Sequence, residues 1–194
     1  MQKTAHKTAL IWASGWRSNS RSLINITLLI ALALALSSAL RCSADTVYMT
    51  QDAFIQDTFK EDVKPSVIWL DNALQQELST ILGHPYPQAR LRYWRSGNTS
   101  LWVLDEIGKE YPITAGFVIT GDEIKRAQVL IYRETRGMEI HSPGFLAQFN
   151  GSSLKNQDLS HKVDAIAGAT LSTQAMIKMA KIALLLNQKT TATH

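Results

Sequence analysis

Tyr111-Pro112-Ile113-Thr114-Ala115-Gly116-Phe117-Val118-Ile119-Thr120, followed by Gly121-Asp122-Glu123 and then Ile124-Lys125-Arg126-Ala127-Gln128-Val129-Leu130-Ile131-Tyr132-Arg133, is the stretch that decides the fold. Both runs are rich in β-branched and aromatic residues and either alternate or run apolar, which is the pattern of strands, while Gly121-Asp122-Glu123 reads as a tight reversal. Upstream the same period covers Ala89 to Arg95 and Ser100 to Asp105, with breaks at Ser96-Gly97-Asn98 and Ile107-Gly108-Lys109. Strands joined by such short turns are antiparallel, because a parallel pair needs a crossover of a dozen or more residues.

Outside this meander the period lengthens. Val67, Leu70, Leu74, Leu78 and Ile81 predict one face of a helix that ends at Gly83, with Pro85 and Pro87 beyond it. Thr50-Gln51-Asp52-Ala53-Phe54 predicts a short capped helix, and Lys60 to Pro65 a polar break. From Gln174 to Leu186, residues Met176, Met179, Ala180, Ala183 and Leu184 recur at helical spacing, while Lys178 and Lys181 point elsewhere. The fold class is therefore α+β: an antiparallel β-meander with one face buried under two long helices, or three helices in all, preceded by an N-terminal segment of another kind. Lys189 to His194 is expected to be a disordered tail.

That N-terminal segment carries the charge imbalance. The chain has 20 Lys and Arg against 16 Asp and Glu, but five of the bases (Lys3, Lys7, Arg17, Arg21, Arg41) lie in residues 1–44, which hold no acid. The remainder, 15 against 16, is close to neutral, so no footprint for nucleic acid remains. Leu23 to Leu40 is an uncharged run dominated by Leu, Ile and Ala behind a basic leader, followed by Arg41-Cys42-Ser43-Ala44. Its eighteen residues lie between the length of a signal-peptide core and the ~20 needed to span a bilayer. Two outcomes stay open, cleavage after Ala44 and retention as an inner-membrane anchor, and in both the basic flank stays inside while the domain from residue 45 to 188 is exported to the periplasm. Cys42 is the single cysteine, so cleavage leaves no thiol for disulfides or metal clusters, and any redox chemistry falls to a bound organic cofactor. His84, His141, His161 and His194 have no metal-site spacing, and no catalytic residue is assigned.

Chemistry concentrates in Asp164-Ala165-Ile166-Ala167-Gly168-Ala169-Thr170-Leu171-Ser172-Thr173, where a small-residue turn opens the last helix. Free backbone N–H groups and the positive end of the helix dipole favour a phosphate there, and Gly168 and Ala169 allow close approach. A plain helix cap at Thr170 or Ser172 is the bland alternative. Earlier, Glu134-Thr135-Arg136-Gly137 closes the last strand; Gly137 permits the reversal, and Arg136 is suited either to a phosphate or the polar edge of a planar ligand or to a solvated turn pair with Glu134. Phe145 and Phe149, four apart, are expected in the core, and His84 at a helix end is expected to interact with the helix terminus rather than bind a ligand.

Asp164 to Thr170 resembles the Asp-x-x-(Ser/Thr)-Gly-Ala-Thr motif of the FMN-binding domain found in periplasmic subunits of sodium-pumping NADH:quinone reductase and of the Rnf electron-transport complex. Glu134 to Gly137 is similar to that family's Glu-Thr-x-Gly turn, and Phe149-Asn150-Gly151 to its Phe-x-Gly, in the same order over about residues 100–186. The resemblance implies FMN joined through its phosphate to Thr170 by a dedicated flavin transferase. It also implies a cofactor site of Asp164, Gly168, Ala169, Leu171, Ser172, Thr173, Glu134, Arg136 and Gly137. Ala167 departs from the motif and offers no hydroxyl there. The function so implied is an exported electron-transfer flavoprotein with a periplasmic or membrane redox partner. The alternatives are a flavin-dependent reductase of a small periplasmic substrate, with Glu139 and His141 as its thin proton-donor candidates, or a non-redox binding module of the same fold.

Overall fold

The computed structural model describes residues 45–191; the signal or anchor segment expected over residues 1–44 lies outside them. Six strands form an antiparallel sheet in the order β1-β6-β5-β4-β3-β2. The four central strands are the expected meander: β3 (Arg90–Ser96), β4 (Thr99–Ile107), β5 (Pro112–Thr120) and β6 (Glu123–Tyr132). Gly97 and Gly121 turn the chain between them with positive φ of 56° and 61°, a conformation open to glycine at little cost. The two edge strands were not foreseen. β1 (Thr46–Val47) pairs with the end of β6, and β2 (Pro65–Trp69) pairs with β3.

β2 corrects the helix expected from Val67. Val67 fits the helical spacing of Leu70, Leu74 and Leu78, but here Val67 and Ile68 pair with Arg92 and Leu91 of β3. The helix α2 begins only at Asn72 and runs to Leu82, after the Asp71 carboxylate accepts from the Leu74 N–H at 2.8 Å. A side-chain cap of this kind fixes the first turn and contributes about 1 kcal/mol. Gly83 ends the helix in the left-handed conformation, and α1 (Gln51–Phe59) is capped in the expected way by Thr50.

Both faces of the sheet are covered. On one, Leu74, Leu78 and Leu82 of α2 pack with Trp102, Ile113 and Phe117 of the sheet and with Met176, Met179 and Ala183 of the last helix, α4 (Thr170–Thr191). On the other, Phe54 of α1 meets Trp94, Leu101, Val118 and Leu130. The neighbours Leu101 and Trp102 therefore face opposite cores, as strand alternation requires. Gly116 makes room for α1: a Cβ there would lie 2.3 Å from Phe54 Cε1. Burial of that phenyl ring contributes about 2–3 kcal/mol.

After β6 a 3₁₀ turn (Met138–His141) and α3 (Pro143–Ala147) bring Phe145 and Phe149 into the core edge-to-face at 5.6 Å, and the small hairpin β7 (Leu154–Lys155) and β8 (Asp158–Leu159) follows. The tail is ordered further than expected. Lys189, Thr190 and Thr191 are the last turn of α4, held by Lys189 Nζ to Glu77 at 2.6 Å and by Arg95 to Thr190 Oγ1 at 3.0 Å. These are tertiary bonds that local composition does not reveal. Among the described residues, no helix is long and apolar enough to cross a membrane.

Candidate functional site

The start of α4 differs from the starts of α1 and α2. Those two helices open after Thr50 and Asp71, whose side chains accept from the backbone of Ala53 and Leu74. α4 opens after Ala169, which offers only a methyl group. The first intrahelical bond runs from the Thr173 N–H to the Ala169 carbonyl at 2.8 Å. The N–H groups of Thr170, Leu171 and Ser172 precede it and have no capping side chain at Ala169, which leaves donors aligned with the positive end of a helix dipole. Thr170 is the first helical residue, not the cap, and it is exposed. Gly168 just before it has φ +85°, and a Cβ there would meet nothing within 4 Å. The approach to the Thr170 hydroxyl is open.

Gly137 brings the second segment to this helix. With φ +85°, it lies so close to the α4 start that a Cβ would sit 2.9 Å from Tyr132 Oη, 3.2 Å from Ala169 Cβ and 3.3 Å from Ser172 Oγ. The turn after β6 and the motif before α4 thus meet in space. Tyr132, at the end of β6, joins them: its phenol donates to the Arg136 carbonyl at 2.5 Å and lies 3.1 Å from Ser172 Oγ. Burial, more than the influence of any neighbour, raises the Tyr132 pKa above its ordinary value, so the phenol stays a neutral donor.

The remaining expected residues are placed less uniformly. Arg136 is exposed, with its carbonyl held by Tyr132 and, among the described residues, no ion pair on its guanidinium. Glu134 points away from α4. Its Oε1 accepts from the backbone N–H groups of Lys109, Glu110 and Tyr111 at 2.5, 2.7 and 3.0 Å, closing the β4–β5 loop. Burial works against its charged form, but those three N–H bonds prevail and the carboxyl is held below the usual glutamate value. Asp164 is fastened through its backbone, whose N–H donates to Gln148 Oε1 at 2.8 Å, while its side chain is 80% exposed and 3.7 Å from Lys162 Nζ. Ser172 and Thr173 are buried, and Thr173 Oγ1 is a buried hydroxyl without a hydrogen-bond partner among the described residues. Leu171 is one of the exposed large apolar side chains, as is Met138 beside Gly137. His141 stacks on Tyr48 at 4.3 Å, with Nδ1 against the Met138 carbonyl.

These features suit a phosphate-bearing cofactor: uncapped donors, an exposed hydroxyl, open space over Gly168, and apolar side chains at hand for a ring. Residues 108–185 match the family model described as FMN-binding domain. That match supports reading the chain as an FMN-binding domain protein over that stretch. All ten expected site residues fall inside the match, and FMN is the cofactor the domain implies. Among solved structures, the crystal structure of Shewanella oneidensis NqrC is similar at 17% identity and a TM-score of 0.49, over 72% of this chain and 90% of that one. No curated protein matches the chain by sequence.

Within the matched stretch, Tyr132 and Gln148 join the candidate site without having been indicated by the sequence. Tyr132 reads as one more strand aromatic and Gln148 as one polar residue in a turn. Neither carries a signal without the fold.

Proposed function

We propose that this chain is an exported electron-transfer flavoprotein whose FMN is attached to Thr170 through its phosphate. The observation that carries this reading is the start of α4, where an exposed hydroxyl at the first helical position sits beside uncapped N–H donors and the open side of Gly168. A side-chain cap would compete for those donors; Ala169 does not. In the attachment step the bond from Thr170 Oγ to phosphorus forms as the bond from that phosphorus to the leaving group of an activated flavin nucleotide breaks. The hydroxyl proton passes to a base of the flavin transferase, and the chain gains FMN less water. The N–H groups of Thr170, Leu171 and Ser172 would hold the phosphate of the bound cofactor, with Arg136 available as a further donor.

Bound FMN supplies one- or two-electron transfer, while the protein supplies position and polarity. The domain from residue 45 to 188 then faces the periplasm, carried across by residues 1–44, and exchanges electrons with a periplasmic or membrane redox protein. The uncharged run Leu23 to Leu40 behind a basic leader supports export.

The test is the intact mass of the protein produced together with a flavin transferase, beside Thr170→Ala. An increase equal to FMN minus water in the native chain alone is expected. An adduct that survives the substitution moves the acceptor to Ser172 or Thr173, and no adduct on either chain overturns the covalent reading.

A further inference from the structure

Among the described residues, Tyr132 reaches both halves of the site through a single atom. It is 1% exposed, and its Oη lies 2.5 Å from the Arg136 carbonyl oxygen and 3.1 Å from Ser172 Oγ. A carbonyl oxygen can only accept, so the one phenolic proton is committed to Arg136. The Ser172 hydroxyl must then donate to the phenol oxygen. The chain of bonds has a fixed direction, Ser172 to Tyr132 to Arg136. Ser172 is itself 4% exposed and stands two residues after Thr170 in the first turn of α4. Gly137 seals the junction, since a Cβ there would come within 2.9 Å of the same phenol oxygen.

We infer that Tyr132 is a positioning residue for flavin attachment: by tying the Arg136 backbone and the first turn of α4 to one buried oxygen, it sets where the Thr170 hydroxyl stands relative to the Arg136 guanidinium. This rests on the reading of Thr170 as the FMN acceptor. Two further features agree with a rigid junction. The phenol needs no solvent to satisfy it, because its donor and acceptor capacities are both used. Among the described residues no ion pair holds the Arg136 side chain beyond the anchored carbonyl, so the anchored backbone limits where it can reach. Thr170 does not depend on Tyr132 for exposure, only for alignment. The loss is therefore expected in the rate of attachment and not in the presence of a hydroxyl.

Tyr132→Phe keeps the buried ring and removes both bonds. Loading of FMN by a flavin transferase is followed by intact mass against time, with Ile124→Val, at the opposite end of the same strand, as a control of comparable stability loss. Tyr132→Phe is expected to slow loading by about ten- to a hundredfold, the scale of two lost buried hydrogen bonds, through a lower kcat with the KM for the flavin donor unchanged. Ile124→Val is expected to load at the native rate. Ser172→Ala, which leaves the phenol–carbonyl bond and the backbone donors intact, is expected to slow loading less, and it carries the test if Tyr132→Phe fails to fold. Native loading rates in Tyr132→Phe, or in Ser172→Ala where that variant carries the test, overturn the inference. Equal slowing in Ile124→Val also overturns it, since general destabilisation would then suffice. No adduct on the native chain overturns the Thr170 reading itself, a result separable from equal adducts on native and variant.

Discussion

Gly137 and Ala169 are separated by a stretch holding the 3₁₀ turn, α3 and the small hairpin, yet a methyl group on Gly137 would come within 3.2 Å of the Ala169 methyl. This contact joins the turn after β6 to the start of α4. Gly137→Ala has to overcome a φ of +85° and also a Tyr132 oxygen 2.9 Å from the new carbon. Gly168 has the same φ of +85° with open space around it. Gly168→Ala is therefore expected to cost about 1–2 kcal/mol from backbone strain alone, and Gly137→Ala about 2–4 kcal/mol once crowding is added. Urea unfolding of the FMN-free domain measures both. Equal losses would mean that the turn and helix start are not packed against each other.

Glu134 gives a second prediction, for stability rather than cofactor binding. Three backbone N–H groups converge on one carboxylate oxygen, from 2.5 to 3.0 Å. Glu134→Gln keeps an acceptor but loses its charge, and at neutral pH it is expected to destabilise the domain by about 1–2 kcal/mol, less than a fully buried charged bond because water reaches the loop. The folded-state pKa lies below the ordinary value of 4.5. The contribution is therefore complete above that value and fades as pH falls through the folded value. Native and variant unfolding curves should converge in that acid range; a difference that persists there removes the carboxylate as its cause.

The strands from Ala89 to Arg133 were legible because alternation and glycine turns are local signals. The first edge pairing was not, because Val67 satisfies helical and strand spacing equally and only its pairing with Arg92 decides between them. Asp71 was the missed clue: a carboxylate three residues before Leu74 marks a helix start. The site shows the same division. Gly168, Ala169 and Thr170 could be read from their order along the chain. The contact of Gly137 with the α4 start, the turning of Glu134 toward the β4–β5 loop and the bridging by Tyr132 depend on tertiary placement.

A third prediction concerns a charged cluster beside α4. Glu106, 5% exposed near the end of β4, has both carboxylate oxygens 3.2 Å from His84 Nε2 and one of them 3.3 Å from Lys178 Nζ. Lys178 also donates to the Leu82 carbonyl at 2.6 Å, so the cluster links α2, β4 and α4. The His84 pKa is raised above 6.5, first by the Pro85 carbonyl at its Nδ1 and then by Glu106, against burial and the repulsion of Lys178. A raised histidine pKa contributes stability that is complete below 6.5 and lost as pH rises through the folded value. Native stability should therefore decline modestly from pH 6.5 upward, the effect being small because the His84 side chain is 43% exposed. His84→Gln should flatten that slope. Lys178→Met removes the repulsion and should move the His84 titration, followed by NMR of its ring protons, to higher pH. A downward shift would show that Lys178 acts on His84 mainly by holding Glu106 in place.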